Sequence, residues 1–131
     1  MGAESVEKRK RAESWGKEAE QIAADYLLGL GYTIRERNWK VAGRFEIDII
    51  AQYEDNIVLV EVKARDGRHT DAVDAVDNHK MRQMVRAADA YIGNLSEPYY
   101  YRFDIIAITG CPGDYKLDHY PNAFLSPLSG S

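Results

Sequence analysis

The chain holds a single cysteine, Cys111, among 131 residues, so no disulfide can close within it and no cysteine-based zinc cluster can form. A lone thiol fits a reducing compartment, and the expected location is the cytoplasm. Long apolar runs are also missing: nothing approaches the roughly 18 consecutive apolar residues of a membrane helix. The opening residues, Met1-Gly2-Ala3-Glu4-Ser5 running into Lys8-Arg9-Lys10-Arg11, lack the apolar centre of a signal peptide. No membrane association is expected. Positive charge is not in excess either: 17 basic residues against 21 acidic leave a net −4, which argues against nucleic-acid binding through bulk charge. The basic residues are nevertheless grouped, at 8–11, 63–68 and 80–86. With no repeat and no low-complexity block, the length suits one domain able to bury a genuine core.

The most informative stretch runs from Phe45 to Arg65. Phe45-Glu46-Ile47-Asp48-Ile49-Ile50-Ala51 and Ile57-Val58-Leu59-Val60-Glu61-Val62-Lys63-Ala64-Arg65 flank Glu54-Asp55-Asn56, which reads as strand, turn and strand. Asp48, Glu61 and Lys63 are charges that a purely structural strand would not choose. Alternation puts Glu61 and Lys63 on one face and Val60 and Val62 on the other. A two-residue turn at Glu54-Asp55 sets Asp48 opposite Glu61 and Glu46 opposite Lys63. Directly opposed Cβ atoms lie about 4.5–5.5 Å apart, a span one cation can bridge. A turn one residue longer would send these groups to opposite faces. Carboxylates this close repel unless something positive sits between them. Oxygen-only ligands favour Mg²⁺ or Mn²⁺, and Lys63 is placed to stabilise negative charge on a phosphate. The plainer reading is a cross-strand salt bridge on a solvated face, which spacing alone favours.

Residues 1–13 are charged and lack an apolar stripe, so a mobile or loosely helical segment is expected there. A single domain is expected over 14–125, with a flexible Ser/Gly-rich tail over 126–131. Helical spacing of Trp15, Ala19, Ile22, Ala23, Tyr26, Leu27 and Leu30 predicts the first helix, with Ser14 as N-cap and Gly31 as the stop. Glu20 and Glu18 flank its stripe, at roughly 90° and 110° on either side, and spacing does not choose between them. Tyr32–Arg35 predicts a strand ending at Arg37-Asn38-Trp39, and Val41-Ala42-Gly43 a turn. The stretch from Asp66 to Thr70 reads as a loop, with His69 facing solvent. Asp74–Tyr91 reads as a second helix whose stripe is Met81, Met84, Val85, Ala88, Tyr91 and Ile92. Lys80 on its shoulder and Arg82 and Arg86 on its polar side suit a phosphate backbone, or plain solvation. Tyr99–Ile108 predicts an interior strand in which Arg102 and Asp104 pair, and packing explains Tyr99–Tyr101 better than base stacking. A turn at Gly110–Gly113 leads to an edge strand over Tyr115–Tyr120, and Phe124 is expected to dock on the core. The order α-β-β-β-α-β-β implies an α/β fold, a mixed sheet flanked by helices.

In this order, the helix acid, Glu46-Ile47-Asp48-Ile49-Ile50-Ala51, Val60-Glu61-Val62-Lys63-Ala64-Arg65, a helix lysine and Arg102-Phe103-Asp104-Ile105-Ile106 resemble the YraN-like family of predicted bacterial endonucleases. Those proteins in turn resemble archaeal Holliday-junction resolvases and the restriction-endonuclease-like superfamily. The likeness covers about Trp15 to Phe124 and implies a restriction-endonuclease-like sheet. By that likeness Asp48 and Glu61 are metal ligands, joined by the Val62 carbonyl, and Lys63 is the catalytic amine. The register of Ala23-Ala24-Asp25-Tyr26-Leu27 makes Glu20, not Glu18, the matching helix acid. Lys80 matches the lysine of the second helix, Arg65 and Arg82 would position the DNA backbone, and Glu46 would be an outer acid or a partner of Lys63. The implied activity is Mg²⁺- or Mn²⁺-dependent hydrolysis of phosphodiester bonds in DNA, branched DNA included, with a homodimer needed to resolve a four-way junction. The rival readings are a module that binds nucleic acid or scaffolds without turnover, and a domain that binds only protein. The chain departs from the family pattern at Ala19 and Phe45, which stand where glycines are usual, and Ile47 replaces the superfamily's proline.

Overall fold

Charged helix formers, an alanine-rich stripe and β-branched runs follow one another along the chain, and each becomes its own element. The computed structural model describes residues 2–41, 45–67 and 78–123. Helix α1 spans Gly2–Gly29, followed by strands β1 (Thr33–Val41), β2 (Phe45–Tyr53) and β3 (Asn56–Arg65). Helix α2 (Asn78–Gly93) leads to β4 (Tyr100–Cys111) and β5 (Asp114–Tyr120). The five strands form one sheet in sequence order. Neighbours are antiparallel except β3 and β4, which run parallel across the α2 connection. This is the expected mixed sheet with the expected element order.

Each helix covers one face of the sheet. Ala19, Ala23, Ala24 and Leu27 of α1 pack on Ile49, Ala51, Val58, Val60, Ile106 and Ile108. Met84, Ala87, Ala88 and Tyr91 of α2 pack on Ile47, Ile50, Ile57, Leu59, Phe103 and Ile105. Residues Ile57–Val60 are buried on both faces, which is why that run is unbroken by polar residues. The hairpin register is the expected one, from Tyr53 opposite Asn56 to Ile49 opposite Val60.

The start of α1 differs from expectation. Ser14 lies inside the helix and caps nothing, because α1 is continuous from Gly2. The Ala, Glu, Lys and Arg residues before Ser14 carry strong intrinsic helix propensity and need no apolar stripe to extend it. At the other end Gly31 acts as expected. It adopts a left-handed φ of 95°, its N–H donates to the Leu28 carbonyl, and the Tyr32 N–H donates to Leu27, which closes the last turn. Leu30 falls outside the stripe, just past the helix and 49% exposed. Strand β1 runs on to Val41 and β4 to Cys111, leaving Pro112-Gly113 as the turn. The Ala42-Gly43 turn, His69, the Asp74 start of the second helix, Phe124 and the tail lie outside the described residues.

The expected Arg102–Asp104 pair is the centre of a larger network. Asp104 is 0% exposed and takes hydrogen bonds from Arg102 Nε (2.8 Å) and Nη2 (2.9 Å) and from the Asn122 N–H (3.2 Å). His119 Nε2 lies 2.7 Å from its Oδ2, and the Tyr26 hydroxyl meets His119 Nδ1 at 3.0 Å. An ionised carboxylate only accepts, so Nε2 carries the proton; in the neutral imidazole Nδ1 then accepts from the Tyr26 hydroxyl. Arg102 Nη2 also donates to the Tyr32 hydroxyl at 2.7 Å, tying the end of α1 to β4 and β5. Burial alone would raise the Asp104 pKa, but the His119 and Arg102 hydrogen bonds outweigh it and hold the group below the usual range. The resulting stability is present above the unfolded-state pKa, about 3.9, and is lost as pH falls through the folded-state value. Removing one partner of such a buried pair costs about 3–5 kcal/mol. Asp104→Ala should lose that much in urea unfolding at pH 7, with the deficit shrinking on acidification below the ordinary aspartate pKa.

Candidate active site

The strands that carry the sequence-predicted acids change character at one level. The β2–β3 backbone pairing ends at Ile49 and Val60. One step on, the carboxylate of Asp48 intervenes and its Oδ2 accepts the Val62 N–H at 2.8 Å. On β1 the residue at that level is Asn38, between the pairs Arg37–Ile49 and Trp39–Ile47, and its φ is 53°. Asparagine tolerates this left-handed conformation better than most residues. The two strands then exchange faces together. Arg37 reaches Gln21 on α1 (2.8 Å), whereas Trp39 stacks edge-on against Tyr91 of α2. Likewise Ile49 packs in the core beneath α1 and Ile47 in the core beneath α2. In a regular strand each of these pairs would share a face.

This break leaves a small cavity of about 170 Å³ lined by Phe45, Glu46, Ile47, Asp48, Val60, Glu61 and Met84. Asp48 and Glu61 both line this space, although the ladder stops one pair short of setting them directly opposite each other. Glu61 pairs with Lys63 at 3.7 Å, both side chains being 13% exposed. Glu46 has a different partner from the lysine considered above. With its nitrogen toward the acids, the Asn38 amide donates to Glu46 Oε2 (3.0 Å) and to Glu20 Oε1 (3.1 Å). Glu20 is thus the acid of α1 that reaches the sheet, and Glu18 stays exposed. Burial pushes the Asp48 carboxyl up to about 6; the charges of Glu20, Glu61 and Glu46 add to the rise and the Val62 N–H opposes it.

Among the described residues, no group of three or more His, Cys, Asp or Glu side chains is set to hold a metal ion as the side chains stand. Donors from the protein occupy the acids instead: Asn38 on Glu20 and Glu46, Lys63 on Glu61, and the Val62 N–H on Asp48. Arg65 stands at the end of β3, where its carbonyl accepts the Trp15 indole N–H at 3.2 Å. Arg82 is exposed on α2, and Lys80 is on the same helix with its side chain outside the described residues. Sequence reasoning missed Asn38, although an asparagine between Arg37 and Trp39 in a strand is itself a signal of left-handed backbone. It also missed Met84 as a cavity wall, since its spacing speaks only of core. Phe45, noted as a departure from the glycine of the family pattern, closes one side of the cavity.

A mixed sheet with a helix on each face, and acids from α1, β2 and β3 gathered where two strands part, defines an α/β domain with a carboxylate site at its sheet. The profile of the uncharacterised protein family UPF0102 matches residues 19–108, and the chain belongs to that family, the YraN-like one. A UPF0102 protein of Bacteroides thetaiotaomicron is 44% identical over 114 residues, covering 86% of this chain and 93% of the relative. One from Phocaeicola vulgatus is 39% identical over 115 residues, with 87% and 94% covered, and one from Thermodesulfovibrio yellowstonii is 41% identical over 110, with 83% and 94% covered. Among the described residues, no helix is long and apolar enough to cross a membrane.

The raised Asp48 pKa has a definite sign. Between about pH 4 and 6 the folded chain holds this proton more tightly than the unfolded chain, so stability falls as pH rises through that window. Asp48→Asn keeps an oxygen for the Val62 N–H and removes the half-buried charge. It should raise unfolding free energy at pH 7.5 by about 1–3 kcal/mol and change little at pH 4. Urea titrations of both proteins at the two pH values read the difference, and an equal shift at both would contradict the assignment.

Proposed function

We propose that the chain is a Mg²⁺- or Mn²⁺-dependent endonuclease that hydrolyses phosphodiester bonds in DNA, branched DNA included. The observation that carries this reading is the half-buried Asp48 carboxylate set near three other carboxylates, with its pKa pushed up to about 6. Negative charge concentrated at this cost to folding suits a site that a cation completes. The donor set is oxygen only, which fits a hard divalent ion. Asp48 and Glu61 would hold it with the Val62 carbonyl, and Glu20 would assist directly or through water. When bound, the ion supplies electrophilic activation of the phosphodiester and of the attacking water.

The remaining work belongs to the side chains. Lys63 shares the rim with Glu61 and offsets charge building on the phosphoryl oxygens. Asn38 joins Glu20 and Glu46 through its amide and fixes where both acids stand. Phe45 and Met84 wall the cavity and keep bulk water from screening the charges. Arg65, Lys80 and Arg82 would position the backbone. One such site cuts one strand, so resolving a four-way junction would take two copies. The rival is a nucleic-acid-binding module without turnover, and the protein donors already engaging each acid are the observation in its favour.

Calorimetric titration of Mg²⁺ and Mn²⁺ into the wild type and into Asp48→Ala/Glu61→Ala separates the two. Binding in the wild type that vanishes in the double variant is expected; equal heats in both reject the metal site. On a panel of branched, flapped, single-stranded and linear DNAs, Lys63→Ala should keep metal binding and lose about 10²–10³-fold in cleavage rate. Retention of DNA without products in the wild type would favour the binding module.

A further inference from the structure

A second concavity, of about 730 Å³, opens between the N-terminal half of α1, the end of β3 and the β4–β5 turn. Its lining carries Lys8 and Arg11 from α1 and Lys63 and Arg65 from β3, against one acid, Asp66. In a chain of net charge −4 this is a local reversal of sign. Lys63 links the groove to the acid cavity: it lines the groove and pairs at 3.7 Å with Glu61, which lines the cavity. Arg11 pairs with Glu7 one turn away at 3.7 Å, and both side chains are about 70% exposed. Such an exposed pair contributes little and yields readily to a stronger anion.

The groove is not merely cationic. Trp15 forms part of its wall, and the indole is fixed there, donating to the Arg65 carbonyl and lying 6.1 Å from the Tyr115 ring. An apolar aromatic wall beside a row of cations suits a strand whose bases are exposed. A duplex would present phosphates to the cations but turn its bases inward, leaving that wall wet.

We propose that this groove holds a single polynucleotide strand leading away from the phosphate at the acid site, with phosphates on Lys8, Arg11, Lys63 and Arg65 and a base against Trp15. The direction of the strand rests on the nuclease reading; the groove's affinity for a strand does not. The test is fluorescence anisotropy with short labelled oligo-dT, oligo-U and a hairpin duplex, without divalent metal and across a salt series. Lys8→Glu/Arg11→Glu alters two exposed side chains, and a thermal melt checks that the fold is kept. The double variant should lose roughly tenfold or more in single-strand affinity and about 1.4 in the slope of log affinity against log salt. Its metal-binding heats should match the wild type, so loss of the groove and loss of the metal site read out separately. Tighter binding of oligo-dT or of oligo-U supports the groove and names the sugar it prefers. The proposal is overturned if the wild type holds neither oligonucleotide, if the double variant binds as the wild type does, or if the duplex loses as much as the single strands.

Discussion

One hydrogen bond governs the geometry of the candidate site: the Val62 N–H donates to the Asp48 carboxylate where backbone pairing of β2 and β3 stops. A backbone donor that would otherwise serve the ladder is given to a side chain. The two strands are thereby joined through a charge. That carboxylate is half-buried and has three more acids nearby, so its surroundings disfavour the ionised form, while the Val62 N–H pulls the other way. The rest of the domain tolerates the arrangement because its cohesion lies elsewhere, in two apolar layers on either side of β3. A strongly packed scaffold can hold one locally unfavourable cluster in place.

The two polar clusters of the molecule show opposite electrostatic solutions. At Asp104 every strong contact comes from a donor, and the carboxylate stays ionised despite complete burial. At Asp48 the neighbours are mostly acids, and ionisation is opposed. Two aspartates on one sheet, one fully buried and one half-buried, are thus set apart by their neighbours. The first ties α1, β4 and β5 together; the second sets like charges side by side. Membership of UPF0102 fixes the family of the chain without assigning its chemistry, so the chemical reading rests on this contrast.

Much of this was legible in the sequence. The register of the β2–β3 hairpin, from Tyr53 opposite Asn56 to Ile49 opposite Val60, followed from two β-branched runs around a polar tip. The mixed sheet followed from a meander and a helical crossover. The start of α1 was not legible from an apolar stripe, because residues before Ser14 are helical through propensity alone. The Asp104 network was only half legible. Arg102 is two residues away on the same strand, but His119 and Tyr26 come from other elements, and the place of Tyr26 in the α1 stripe speaks only of packing. The change of face at Asn38 was hidden for another reason. Alternation assumes uniform backbone dihedrals, and a single left-handed residue suspends it.

Asn38 has a consequence beyond the acids it holds. Strand β1 is an outer strand of the sheet, and its pairing is also irregular between Ile34 and Glu36. An outer strand with straight, unpaired amides invites a foreign strand to add to it. Two irregularities within nine residues, amid Arg35, Glu36, Arg37 and Lys40, leave no long flat run of amides for such an addition. The residue that aims the carboxylates therefore also guards the rim of the sheet against stray β-pairing.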